Sequence, residues 1–161
     1  MGVEGSGKTT VGRALAQRLD FEFLDADSLH SSESRAKMAG GRALDDEDRL
    51  PWLHRVAERI GDLEQDHPGV VCACSALKHA YRDVLRDRDP STFFVFLDGP
   101  ESVIAPRIAA RHHDFMPASL LNSQFATLEP LAPDERGIRV DLTLTPAQIV
   151  ERAVDAYAGT S

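Results

Sequence analysis

Gly2-Val3-Glu4-Gly5-Ser6-Gly7-Lys8-Thr9-Thr10 has the form G-x-x-x-x-G-K-[ST], and each fixed position has a task in holding phosphate. The glycines let the backbone wrap an anion with its N–H groups inward. Lys8 brings positive charge to the β- and γ-phosphates, and the Thr9 hydroxyl is placed to ligate Mg²⁺. The segment Gly5, Ser6, Gly7, Lys8, Thr9 and Thr10 therefore points to a nucleoside triphosphate such as ATP. Glu4 is an acid inside this cradle, acceptable if its side chain turns to solvent. A Gly-rich tract can also be a plain turn, but six specified positions agree here and a helix pattern follows at once.

Two further groups could do chemistry. Asp25 and Asp27 lie two apart at the end of an apolar run, Phe21-Glu22-Phe23-Leu24. On a strand end they project to one side, so one can hold Mg²⁺ through water while the other takes a proton from a hydroxyl nucleophile. A solvated Asp-Ala-Asp turn is the competing reading. Arg49, Lys78 and Arg82 stand near strand ends or helix starts, where basic side chains can converge on a small anion, although each alone could be a surface charge. Arg107 and Arg111, four apart, share a helix face beside a polar stretch. They suit a lid over about 107–118 that closes on ATP, or an ordinary solvated face.

These residues need a scaffold of alternating strands and helices. A helix after the loop carries Val11, Ala14, Leu15 and Leu19, and a strand at 21–25 ends in the acids. A short helix fits 31–41, and the acidic turn 45–48 leads to a helix with Pro51 in its first turn, ending near Asp66. The apolar run 69–74 reads as a buried parallel strand, followed by a short helix with Tyr81, Val84 and Leu85. Strand 93–98, a helix over 101–111 kinked or restarted at Pro106, a turn-like 112–117, a helix over 119–128, a strand over 138–144 and a helix from Pro146 complete the chain. The pattern predicts one α/β domain over residues 1–161, a parallel sheet with helices on both faces. A P-loop normally follows a buried strand, and none precedes it here, so the first strand is expected to be truncated.

The 161 residues carry a formal net charge of -8, which argues against nucleic acid as a general partner. No apolar run approaches the ~20 residues needed to span a bilayer, so no membrane role and a cytoplasmic location are expected. Cys72 and Cys74 would share one strand face as small buried hydrophobes, with no company for a zinc site. Trp52 is expected in the core.

Several strings together resemble one family. Asp25-Ala26-Asp27-Ser28-Leu29-His30, Leu44-Asp45-Asp46-Glu47-Asp48-Arg49-Leu50-Pro51-Trp52-Leu53, Cys74-Ser75-Ala76-Leu77-Lys78, Tyr81-Arg82-Asp83 and Phe115-Met116-Pro117-Ala118-Ser119-Leu120-Leu121 join the P-loop in this. In order and spacing they resemble the bacterial gluconokinases, small P-loop kinases related to shikimate kinase. The resemblance implies an adenylate-kinase-like three-layer α/β/α fold with a mobile lid, and transfer of the γ-phosphoryl of ATP to the 6-hydroxyl of D-gluconate. It implies Asp25 near the metal and Asp27 orienting and deprotonating the hydroxyl. His30, Arg49, Lys78 and Arg82 would hold the sugar acid, and Arg107 and Arg111 would lie over the phosphates. A homodimer is implied as well. The chain departs from the family at His30-Ser31-Ser32-Glu33-Ser34, where His-Pro-x-x-Asn is typical, at Ala43, and at His112-His113-Asp114-Phe115. A kinase for another hydroxy acid such as shikimate, or a nucleotide-binding protein without turnover, are the rival readings.

Overall fold

The computed structural model describes residues 1–110 and 118–160. Along the chain run α1 (Lys8–Leu19), β1 (Glu22–Asp25), α2 (Ser32–Ala39), α3 (Asp46–Leu63), β2 (Val70–Ala73), α4 (His79–Arg88), β3 (Phe94–Asp98), α5 (Glu101–Ala109), α6 (Ala118–Thr127), β4 (Gly137–Asp141) and α7 (Pro146–Ala158). No helix among the described residues is long and apolar enough to cross a membrane.

Strand pairing is parallel throughout the described residues. β1 lies beside β2, with Glu22 opposite Val70, and β3 lies beside β4, with Phe94 opposite Gly137. The single sheet expected from the sequence is thus divided into two pairs, because β2 and β3 do not bond each other. Among the described residues, Met1 and Gly2 reach across. The Met1 ammonium donates to the Val95 carbonyl at 2.5 Å, Leu97 N–H donates to Met1 O at 3.0 Å, and Gly2 N–H donates to Ser75 O at 3.1 Å.

Alternation along the strands builds one core on each face. Val11 and Leu15 of α1 and Ile149, Val150 and Ala153 of α7 pack with Leu97 and Val140. Trp52, Leu53 and Val56 of α3 and Tyr81 and Leu85 of α4 pack with Phe94, Cys74 and Ala26. The result is helix, sheet, helix. Cys72 and Cys74 both belong to the α3–α4 side, as their spacing requires, and burial raises the Cys74 thiol to about 11, an inert small apolar group.

Boundaries differ from the sequence reading in α3 and β4. α3 begins at Asp46 rather than near Pro51, because Asp45 and Asp48 form a reciprocal capping box that starts the helix and leaves Pro51 inside it. Pro106 lies within α5, where the sequence reading placed it. β4 stops at Asp141, where the side chain accepts from Thr143 N–H and turns the chain.

Candidate active site

The P-loop leaves the Met1–Gly2 bridge and enters α1 with Gly5 and Gly7 in left-handed conformations, φ 77° and 99°. A Cβ on Gly5 would lie 2.7 Å from Ile108 Cγ1, so α5 packs directly under the loop and only glycine fits. Above Gly7 the space is open for 4 Å around the same atom position. That opening at a helix N-terminus is what an entering phosphate requires. Gln124 of α6 accepts from the Glu4 N–H at 2.6 Å, tying the loop to the helix that follows residues 111–117.

Lys8 folds back over the loop, donating to the Val3 carbonyl at 2.9 Å with its Nζ 3.9 Å from Glu4 Oε2. Glu4 therefore does not turn away, as the sequence suggested; its carboxylate faces Lys8 as a partial counter-charge. Beyond the loop, Thr9 Oγ1 lies 3.4 Å from Asp25 Oδ2. A hydroxyl and a carboxylate side by side at a phosphate cradle are the hard oxygen donors Mg²⁺ prefers, so the pair fits that ion.

Asp25 ends β1, but Asp27 is not on the strand. The chain turns through a 3₁₀ segment, Ala26–Leu29, and Asp25 caps it by accepting from Asp27 N–H at 3.2 Å. The two carboxylates thus have different neighbours, Thr9 for Asp25 and His30 for Asp27. The Asp27 side chain is open to the crevice, yet the surrounding protein desolvates it and raises its pKa; Lys8 and Arg49 pull it down, while Glu4 and Asp25 push it further up. A carboxyl raised in this way is better suited to accept a proton near neutral pH.

His30 closes the turn. Its ring is buried, stacked on the Trp52 indole with centroids 4.2 Å apart, and its Nε2 is 3.7 Å from Asp27 Oδ1. Burial, reinforced by Arg49, Arg55 and Arg35, lowers its pKa to about 4, so the imidazole is neutral. Nδ1 has no hydrogen-bond partner among the described residues. The Trp52 N–H donates to Ala26 O at 2.7 Å and fixes the turn that carries Asp27.

Arg49 and Lys78 meet around Tyr81. The Arg49 guanidinium carbon is 5.8 Å and Lys78 Nζ 5.3 Å from the ring centroid. Lys78 bonds both oxygens of Asp46, at 2.8 and 3.0 Å, and the Tyr81 hydroxyl donates to the same carboxylate. These bonds hold the Asp46 pKa low, with Lys78 the larger influence. Asp46, Tyr81 and Trp52 were missed as site residues. The signal was available for Trp52, one helical turn beyond Arg49, and for Tyr81, three residues beyond Lys78.

Arg82 corrects the sequence reading. Its side chain is 0% exposed and grips Glu135 through both oxygens, 2.5 Å from Nε and 2.8 Å from Nη2. Its remaining N–H groups go to the carbonyls of Ala76, Leu77, Glu129 and Pro130. No donor is left for a sugar acid; the residue holds the loop bearing Lys78 against the stretch before β4. Arg107 is exposed and donates to the Leu142 carbonyl at 3.0 Å, next to β4. Arg111 and most of the expected lid lie outside the described residues.

A family model for shikimate kinase matches residues 4–156. Over 157 residues the chain is 41% identical to the thermosensitive gluconokinase of Escherichia coli (strain K12), spanning 97% of this chain and 84% of that protein. The chain belongs to the gluconokinase family. Among solved structures, a gluconokinase from Sinorhizobium meliloti superposes with a TM-score of 0.88 at 44% identity, covering 99% of this chain and 90% of that one. A sugar kinase from Janibacter sp. gives 0.90 at 49% identity, covering 98% and 91%. The gluconokinase relatives thus share the P-loop kinase scaffold over nearly the whole length described above.

Proposed function

We propose that the protein transfers the γ-phosphoryl group of ATP to the 6-hydroxyl of D-gluconate, giving 6-phospho-D-gluconate and ADP. The observation that carries this reading is that Asp27 lies within electrostatic reach of both Lys8 of the P-loop and Arg49, with Lys78 beside Arg49 at the Tyr81 ring. Relatives named gluconokinase at about two-fifths identity supply the acceptor.

In this reading the P-loop N–H groups and Lys8 hold the phosphates, Lys8 leaving the Val3 carbonyl to do so. Thr9 and Asp25 would hold Mg²⁺, which when bound neutralises charge on the phosphates. Asp27 orients the 6-hydroxyl and takes its proton. The hydroxyl oxygen forms the new P–O bond as the bond between the γ-phosphorus and the bridging oxygen breaks, and the electron pair leaves with ADP. Arg49 and Lys78 hold the carboxylate of the sugar acid, an anion that arginine can grip through two N–H groups. The neutral, buried His30 is assigned to the sugar-acid side on the family resemblance, next to Asp27. Arg107 and Arg111 are assigned to the phosphate side on the family resemblance.

Coupled ADP-release assays over gluconate, shikimate and other sugar acids test the acceptor, with gluconate expected to give the highest kcat/KM. Asp27→Asn is expected to keep ATP binding and lose most of the transfer rate. Full activity in D27N removes Asp27 as base, and a stronger response to another acid overturns gluconate.

A further inference from the structure

The P-loop backbone is fixed to its surroundings at two points. At its root Gly2 N–H donates to Ser75 O at 3.1 Å, and nearer its crown Glu4 N–H donates to Gln124 Oε1 at 2.6 Å. A bond at the root alone leaves the loop able to pivot. The second, to a residue 120 positions away in the chain, removes that freedom.

Gln124 stands on α6, and the same stretch of chain reaches the acceptor side at Glu129. Leu128 N–H still bonds Gln124 O at 2.9 Å, so the helical path continues past Thr127 and puts Glu129 about 7.5 Å along it from Gln124. There Glu129 N–H donates to Leu77 O at 2.8 Å, its carbonyl accepts from Arg82 Nη1 at 3.1 Å, and its carboxylate accepts from His79 N–H at 2.6 Å. α4 starts at His79, and its N-cap Lys78 makes no capping bond with its own side chain. Glu129 supplies the cap from outside, an anion where the helix N-terminus presents free N–H groups. It thereby fixes the backbone that carries the Lys78 side chain.

Between these ends α6 is held as one piece. Leu121, Phe125 and Leu128 repeat at helical spacing and join the core that includes Val11 and Leu15 of α1. A close-packed helix transmits displacement rather than absorbing it, so the crown of the P-loop and the root of Lys78 keep a set separation.

We propose that Gln124 is a positioning residue for phosphoryl transfer: through α6 and Glu129 it sets the register of the P-loop against Lys78, and so the approach of the acceptor hydroxyl to the γ-phosphorus. The proposal rests on the reading in which Lys78 holds the carboxylate of the sugar acid. Gln124 acts through the backbone N–H of Glu4 rather than on either substrate.

Gln124→Met keeps the length of the side chain and removes the acceptor oxygen. Its effect is read by gluconate-dependent ADP release, by ATP binding and by the slow hydrolysis of ATP by water without gluconate. Transfer to gluconate is expected to fall about tenfold in kcat, because a displacement of about 1 Å between reacting groups costs up to about a hundredfold. KM for gluconate and Kd for ATP are expected to hold, and hydrolysis by water, which needs no register with Lys78, is expected to keep its rate. Equal losses in hydrolysis, ATP binding and transfer overturn the proposal, since Gln124 then only shapes the phosphate cradle. An unchanged kcat overturns it as well. Two substitutions probe the other end whether or not Q124M folds: Glu129→Met removes the cap and is expected to give the same split, and Glu129→Gln keeps an acceptor oxygen and is expected to restore transfer. Identical kcat in the two Glu129 variants overturns the proposal. If the unaltered protein passes no phosphoryl group to gluconate, the acceptor assignment falls and takes this proposal with it; transfer to gluconate that ignores both Q124M and E129M defeats this proposal alone.

Discussion

Replacing Arg82 by Ala removes one guanidinium and leaves several groups without their partner. The Glu135 carboxylate, whose side chain is 0% exposed, keeps only the Ala132 N–H at 2.8 Å, and the Ala76, Leu77, Glu129 and Pro130 carbonyls lose a donor. Breaking a buried ion pair from one side costs about 3–5 kcal/mol, because an uncompensated charge stays behind. For a chain of this length about 1 kcal/mol moves the melting temperature by roughly 2–4 °C, so a fall of about 6–20 °C is expected. Urea unfolding at pH 7 measures the energy directly. The loss should shrink at pH 4, where the orphaned carboxyl can take a proton. In the native protein burial pushes that carboxyl up, but the Arg82 and Ala132 hydrogen bonds prevail and hold its pKa below the ordinary value. The double variant R82M/E135L is expected to recover part of the stability, since both charges leave while the carbonyls still lack a donor. A normal melting temperature in R82A, together with a sharply raised KM for the sugar acid, would refute this reasoning and return Arg82 to the substrate.

Three other outcomes follow from the geometry. Gly5→Ala places a Cβ at φ 77° and 2.7 Å from Ile108, a combined strain and overpacking of about 2–4 kcal/mol, read as a lowered melting temperature and weakened ATP binding. The Met1 amine of this chain, lowered from 8.0 to about 5, leaves the unfolded state binding more protons between those values, so stability rises from pH 5 to pH 8 by up to about 4 kcal/mol. Acetylating that amine should flatten the rise, measured as urea midpoints at pH 5, 6.5 and 8. Asp46→Asn releases Lys78 from its internal carboxylate, and a severalfold fall in KM for the sugar acid with little change in melting temperature is expected.

The parts legible in the sequence were those set by local pattern. The P-loop, the helix behind it, the acidic end of β1 and the buried β2 all follow from short-range periodicity and glycine placement. What escaped depended on partners distant in the chain. Arg82 read as a free cation because Glu135, 53 residues on, gave no sign of pointing at it. Asp25 and Asp27 read as projecting to one side of a strand end, because spacing cannot show that Asp25 caps the very turn that carries Asp27 away from the strand. The start of α3 was missed for a different reason: Asp45 and Asp48 look like a solvated acidic run until their reciprocal hydrogen bonds are seen. The division of the sheet agrees with the expectation of a missing first strand, which leaves β2 and β3 without a common neighbour.

The stack of His30 on Trp52 gives this protein a built-in optical gauge of its acceptor pocket. Trp52 is the sole tryptophan, so all indole emission comes from a ring that shares a face with His30 and anchors the turn bearing Asp27. A ligand that shifts Asp27 or the turn beneath it alters the surroundings of that one fluorophore, and protonating the imidazole as pH falls toward about 4 places a cation against it. Binding of the acceptor can therefore be followed without label and without turnover, separately from ATP.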